Sequence, residues 1–136
     1  YLWTLEASVP SVMALAGVHE YEVIETRTGD KLVGLRYRHP LAAKIPYQAT
    51  VTGEWVHRVV ASDIVEAEHT GLVHSAPGHG PEDFELGQKL GLPAFSPVDE
   101  RGRLTAEAGV YQGKTVKEGN PQILEDLRAV RSLFAA

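Results

Sequence analysis

Hydrophobic positions fall mostly into short alternating runs broken by glycine, proline and charge, and only a few stretches keep helical spacing. Residues 21–26 alternate, with Tyr21, Val23 and Glu25 on one face. Residues 31–37 read as the returning partner across the turn signal Thr28-Gly29-Asp30, so the pair predicts a hairpin. Residues 2–6 read as a further strand. Residues 49–61 are rich in valine and threonine and read as strand, with Gly53 at a turn or bulge. Residues 64–67 and the apolar run 71–75 add two more. A short helix over 12–16 is entered through Ser8-Val9-Pro10-Ser11 and stopped by Gly17. A second, over 81–90, is bracketed by Pro81 and by Gly91 and Pro93. A third opens at Gly119-Asn120-Pro121 and runs to Leu133, with Ile123, Leu124, Leu127, Val130 and Leu133 at helical spacing. Strands and helices do not alternate regularly, which argues against a doubly wound parallel sheet. The expected fold is of the α/β class and β-rich: a barrel-like curled sheet with two or three helices packed outside it.

Composition narrows the function classes. The 136 residues, 43% hydrophobic and 23% charged, suit one globular domain over 1–136 that needs no covalent staples. Cysteine is absent, which excludes disulfides, thiolate nucleophiles and thiolate metal sites. No apolar run approaches the roughly 20 residues that span a bilayer, and the start Tyr1-Leu2-Trp3-Thr4-Leu5-Glu6 is no signal peptide; a cytoplasmic protein with no membrane partner is expected. The net charge of -5 is unlike that of a free-standing nucleic-acid binder. The chain is expected at most to receive the end of a nucleic acid that another domain grips.

The segment richest in chemistry is Thr70-Gly71-Leu72-Val73-His74-Ser75-Ala76-Pro77-Gly78-His79-Gly80-Pro81-Glu82-Asp83. It joins an apolar strand, a glycine loop and a helix start. At Gly78 and Gly80 a ligand can approach the backbone closely. Pro81 fits the first helical position, which puts Asp83 in the first turn, where the helix dipole favours an ionised carboxylate. Such a group suits the binding of an ammonium better than general-base work, and equally it can simply stabilise the helix start. His74 shares a strand face with Leu72 and Ala76, where a hydrogen-bonded core histidine is the commoner outcome. His79 sits in the loop as ligand, acid-base group or exposed side chain, and spacing does not decide among these.

Several sharper chemistries fail on spacing. His69, His74, His79, Asp83 and Glu85 lack the HExxH pattern and any thiolate, so no metal is expected. A dinucleotide fingerprint would need glycine at position 83, where Asp83 would repel pyrophosphate. Ser75 lies between two histidines but in no G-x-S-x-G elbow. Arg36 and Arg38 share a strand face and could meet phosphate, although charges commonly just blunt a solvated edge.

The 70–84 segment resembles the signature of the editing insertion in isoleucyl-tRNA synthetases, which commonly reads G-T-G-x-V-H-x-A-P-[GA]-x-G-x-x-D followed by an aromatic or apolar residue; here His69 replaces the first glycine. The valine and leucine enzymes share the aspartate but typically carry lysine or methionine at the position of His74. The similarity continues through Gly87 to Leu92, through Pro97-Val98-Asp99-Glu100-Arg101-Gly102, and through Asn120 to Leu127. Lys31 to Tyr37 with His39-Pro40 resembles the archaeal and eukaryotic branch. The family's threonine-rich segment, usually WTTTPWTLP, is not matched by Trp3-Thr4-Leu5, so an excised piece of a larger synthetase is expected.

The resemblance implies an editing fold of the type shared by the valine, isoleucine and leucine enzymes, and the activity that goes with it. The expected activity is hydrolysis of valine from the 3′ end of tRNA(Ile), with valyl-adenylate as a further substrate. The expected partners are that tRNA end and the rest of the parent synthetase, and no cofactor is implied. Asp83 would hold the substrate's α-ammonium group, and His74 would line the amino-acid pocket. Thr70, Ser75 and the Gly78-His79-Gly80 loop would lie against the substrate. One methylene in an apolar pocket is worth only about 1–3 kcal/mol, isoleucine against valine being the standard example, so a second sieve is needed. The alternatives are a non-catalytic β-rich module that binds RNA or protein, and the editing domain of the valine or leucine enzyme.

Overall fold

The computed structural model describes residues 1–134, and in them four short α-helices are linked by extended and turning segments. Helix α1 spans Val9–Leu15 with Pro10 in its first turn, and the chain leaves it through Gly17 at φ 68°. Helix α2 spans Pro46–Thr50 and again starts on proline, which has no amide to leave unpaired there. Helix α3 spans Pro81–Leu90 and ends at Gly91 in the left-handed conformation, with the Leu92 amide reaching back to the Gly87 carbonyl. Helix α4 spans Val116–Ala129. Its start is a capping box: the Thr115 side chain accepts from the Glu118 amide while the Glu118 carboxylate accepts from Thr115. No helix among the described residues is long and apolar enough to cross a membrane.

The expected β-rich curled sheet is not present. Among the described residues pairing is confined to isolated antiparallel bridges, Arg36 with Arg58, Val98 with Leu104 and Arg103 with Thr115. The physical reasons differ by segment. The hairpin over 21–37 does not form because Gly29–Leu32 winds into a 3₁₀ turn and residues 21–28 have no strand partner. Residues 34–37 pair instead with 57–59: the Gly34 amide donates to the Val59 carbonyl, Val59 to Leu35, and Tyr37 to His57, at 2.8–3.0 Å. That pairing cannot lengthen, because Gly34 at φ 85° and His57 at φ 52° turn the backbone out of extended geometry. Within 49–61 the first residues complete α2 and residues 54–57 turn. Residues 72–76 form no regular structure and are unpaired, and Val73 is 70% exposed, so the apolar run there is a wet wall and not a buried strand.

The core is small. Leu41, Ala108 and Tyr111 are buried, with Ile45, Leu104, Ile123 and Leu127 packed around them. It is pinned by polar bonds from α4. Asp126 accepts from the Tyr111 hydroxyl at 2.7 Å and from Lys44 Nζ at 2.9 Å, and these bonds, that of Lys44 first, hold its carboxyl below the usual range. Burial and the Asp126 carboxylate push the Tyr111 phenol up. Gly109, at φ 61°, lets residues 106–111 close against the 41–45 turn: a Cβ there would stand 2.1 Å from the Lys44 carbonyl oxygen. The accessible surface is 9975 Å². A compact monomer of this size would expose about 7,000 Å². Many large apolar side chains are exposed, among them Leu2, Trp3, Tyr21, Val23, Ile24, Leu72 and Val73, all of which line an open cleft.

Candidate functional site

One broad cleft runs between the N-terminal segment, residues 21–29, the 37–48 turn and α2, residues 55–62 and the 70–79 segment. Thr70, His74, Ser75 and His79 all line it. Gly78, Gly80 and Asp83 do not, so the structure separates the sequence-derived site into a cleft wall and a group behind the loop. His74 is exposed on the wall; the core-histidine alternative does not hold. Ser75 Oγ is buried and has no hydrogen-bond partner. The Thr70 hydroxyl is committed to the Leu72 carbonyl at 3.0 Å, and the Thr70 carbonyl accepts from the Leu5 amide at 2.7 Å.

Behind the wall, the Gly78-His79-Gly80 loop is a tight turn in which the His79 amide donates to the Ala76 carbonyl at 2.9 Å. Gly78 is wedged against residue 95: a Cβ there would sit 1.9 Å from the Phe95 carbonyl oxygen. The Phe95 ring is in turn stacked on Tyr47 of α2 at 3.7 Å. Gly87, in the second half of α3, packs on Pro77, so the body of the helix is fixed to the loop. Asp83 is half-buried in the first turn of α3, and its carboxylate folds back over Gly80, whose Cβ position lies 3.0 Å from Asp83 Oδ2. No side chain among the described residues forms an ion pair with it. It therefore stands available to a cation approaching over the bare Gly80 backbone.

The cleft is also lined by a histidine cluster that sequence reasoning missed. His57 Nε2 lies 2.8 Å from Gln48 Oε1; an amide oxygen only accepts, so this nitrogen carries the proton. His39 Nδ1 accepts from the Leu41 amide at 3.2 Å, so its proton sits on Nε2. The two rings are 5.8 Å apart, and Tyr37 lies 5.4 Å from His57. Burial lowers the pKa of His39, helped by repulsion from His57 and His74, and burial alone lowers that of His57. Because the folded values are depressed, the unfolded chain binds the protons first. Stability contributed by the neutral cluster is then complete above the ordinary 6.5 and lost as pH falls below it, flattening once the folded values are passed. Urea midpoints are expected to drop between pH 7.5 and 5.5, and the double substitution His39→Gln, His57→Gln to flatten that slope; an unchanged slope would show the cluster to be electrostatically idle. Nothing local announces these residues, since the contacts cross loops and depend on the left-handed turn at His57. Among the described residues no three His, Asp or Glu side chains converge where a metal ion could sit.

No family model matches the chain. Comparison with curated proteins gives a consistent result. The chain is 49% identical over 127 residues to the isoleucine–tRNA ligase of Archaeoglobus fulgidus, covering 93% of this chain and 12% of that protein. To the isoleucine–tRNA ligase of Haloarcula marismortui it is 46% identical, with 93% and 12% covered. To that of Pyrobaculum aerophilum it is 45% identical, with 95% and 13% covered. The chain is therefore a homologue of one segment of archaeal isoleucyl-tRNA synthetases, spanning only about 12% of their length.

Proposed function

We propose that this domain edits for an isoleucyl-tRNA synthetase by hydrolysing the ester between valine and the 3′ adenosine of tRNA(Ile). The observation that carries the reading is the 70–83 segment. In a chain homologous to these synthetases, it sets Thr70, His74, Ser75 and His79 on one wall of an open cleft, with an uncommitted carboxylate at Asp83 just behind the glycine-flanked turn. In this reading the aminoacyl end lies across the turn. Its α-ammonium group reaches Asp83 over Gly80, and its side chain rests against His74, which limits the space for a larger residue. Water attacks the ester carbonyl, the bond to the adenosine oxygen breaks, and that oxygen leaves with a proton. No side chain is placed as a dedicated base, so positioning supplies most of the rate. The tRNA end and the remainder of the synthetase are the partners, and valyl-adenylate is a second substrate.

The test is an NMR titration with two non-hydrolysable 3′-aminoacyl-adenosine analogues, one valyl and one isoleucyl. Shifts at residues 70–84 with the valyl compound, at least about tenfold weaker with the isoleucyl one, are expected for a size-selective sieve. Equal binding of both, or shifts confined to other segments, would sink the reading.

A further inference from the structure

Arg36 and Arg58 face each other across the antiparallel bridge. The bonds that frame the bridge run from the Tyr37 amide to His57 and from the Val59 amide to Leu35, which makes Arg36 and Arg58 a non-hydrogen-bonded pair. In such a pair the two side chains leave the same face, with Cα atoms only about 4.5 Å apart. Like charges directly opposite one another are destabilising. Among the described residues neither guanidinium forms an ion pair that would relieve this. Arg58 is half-buried, and its Nε is buried without a hydrogen-bond partner. A desolvated guanidinium is costly, and an anion beside the pair would relieve the repulsion. Arg58 also lines the same cleft as Thr70, His74 and Ser75.

We propose that Arg58, backed by Arg36, binds a phosphate group of the nucleotide whose aminoacyl end occupies the cleft. Guanidinium donors match phosphate oxygens in a bidentate fork, which a lysine ammonium cannot present. The arginine pair concentrates positive charge on one side of a chain whose net charge is -5, which gives a phosphate one favoured place to lie. That the phosphate belongs to a nucleotide rests on the editing reading; that an anion is held at the pair rests on the pair alone.

The test titrates the 136-residue chain with adenosine and with adenosine 5′-monophosphate, which differ by one phosphate, and with inorganic phosphate as competitor. The monophosphate is expected to bind about tenfold or more tighter than adenosine, with a salt dependence that weakens by about one contact in Arg58→Ala. Arg58→Ala should bring the affinity ratio close to one, and an unchanged thermal melt reports that the chain still folds. Arg36→Ala, on the exposed partner, should lower the same ratio, and Arg58→Lys should restore only part of it because the fork is lost. A ratio unmoved by both alanine variants would overturn the proposal. Inorganic phosphate binding as tightly as the monophosphate would overturn its nucleotide part. The editing reading fails separately: loss of valyl-over-isoleucyl selectivity with an Arg58-dependent ratio leaves the phosphate site standing without it.

Discussion

Replacing Asp83 with alanine in the parent synthetase should slow clearance of Val-tRNA(Ile) by about a hundredfold or more, the usual scale for truncating one member of a desolvated charge pair. The carboxylate lies half-buried at the start of α3, with no ion-pair partner of its own and only the Gly80 backbone in front of it. In the proposed editing role, losing it would remove the anchor for the substrate ammonium and with it the placement of the ester. Asp83→Asn separates charge from shape: the amide keeps the size but cannot attract a cation, so most of the loss should persist. The competing role is plain helix stabilisation through the dipole, worth about 0.3–1 kcal/mol at a first-turn position. Clearance assays beside thermal melts distinguish the two. A small drop in melting temperature with normal clearance would assign Asp83 to the helix and leave the hydrolysis without its anchor.

Gly78→Ala should instead damage the fold, by roughly 3 kcal/mol in urea unfolding, at the upper end of ordinary overpacking. The new methyl would stand 1.9 Å from the Phe95 carbonyl oxygen and 2.4 Å from its carbon. Both are backbone atoms, so the turn or the 95–96 segment must move bodily, and the stack of Phe95 on Tyr47 moves with it. Gly80→Ala is the informative contrast. Its methyl would meet only the Asp83 carboxylate, at 3.0 Å, which can swing aside. That variant should remain folded but lose clearance, since the methyl covers the approach to Asp83. Equal stability of the two alanine variants would contradict the packing described for the loop.

The helices were readable to the extent that their ends carry chemistry. Pro81 and Gly91 bracket α3, and both bounds of the 81–90 expectation coincide with the structure because a ring-fixed φ starts the helix and a left-handed glycine ends it. The last helix begins earlier than Gly119-Asn120-Pro121 suggests. Thr115 and Glu118 form a capping box, whose T-x-x-E spacing is visible in the sequence, and the helix then carries Pro121 inside it. It also stops at Ala129, short of Leu133, as Arg131 takes φ 56°. The expected sheet failed for a reason periodicity cannot express. Alternation at 21–26 and 31–37 states a preference for extended backbone, but a ladder needs a partner in register. That partner is set by tertiary contacts and by the left-handed turns at Gly34 and His57. At the site, the motif located Thr70, His74, Ser75 and His79 along one wall, whereas the His39, His57 and Gln48 cluster and the opposed arginines arise only from contacts between distant segments.

The wet, apolar walls of the cleft bear on more than docking. Folding leaves these side chains in water, so a ligand lying among them completes burial that the free chain has not achieved. By linkage, whatever binds the folded form stabilises it, and more so the tighter it binds. On the editing reading proposed above, a residue that fits beside His74 would consolidate the domain around itself, whereas one too large would leave the walls apart. Discrimination between substrates would then also be a difference in how firmly each one allows the domain to hold its shape.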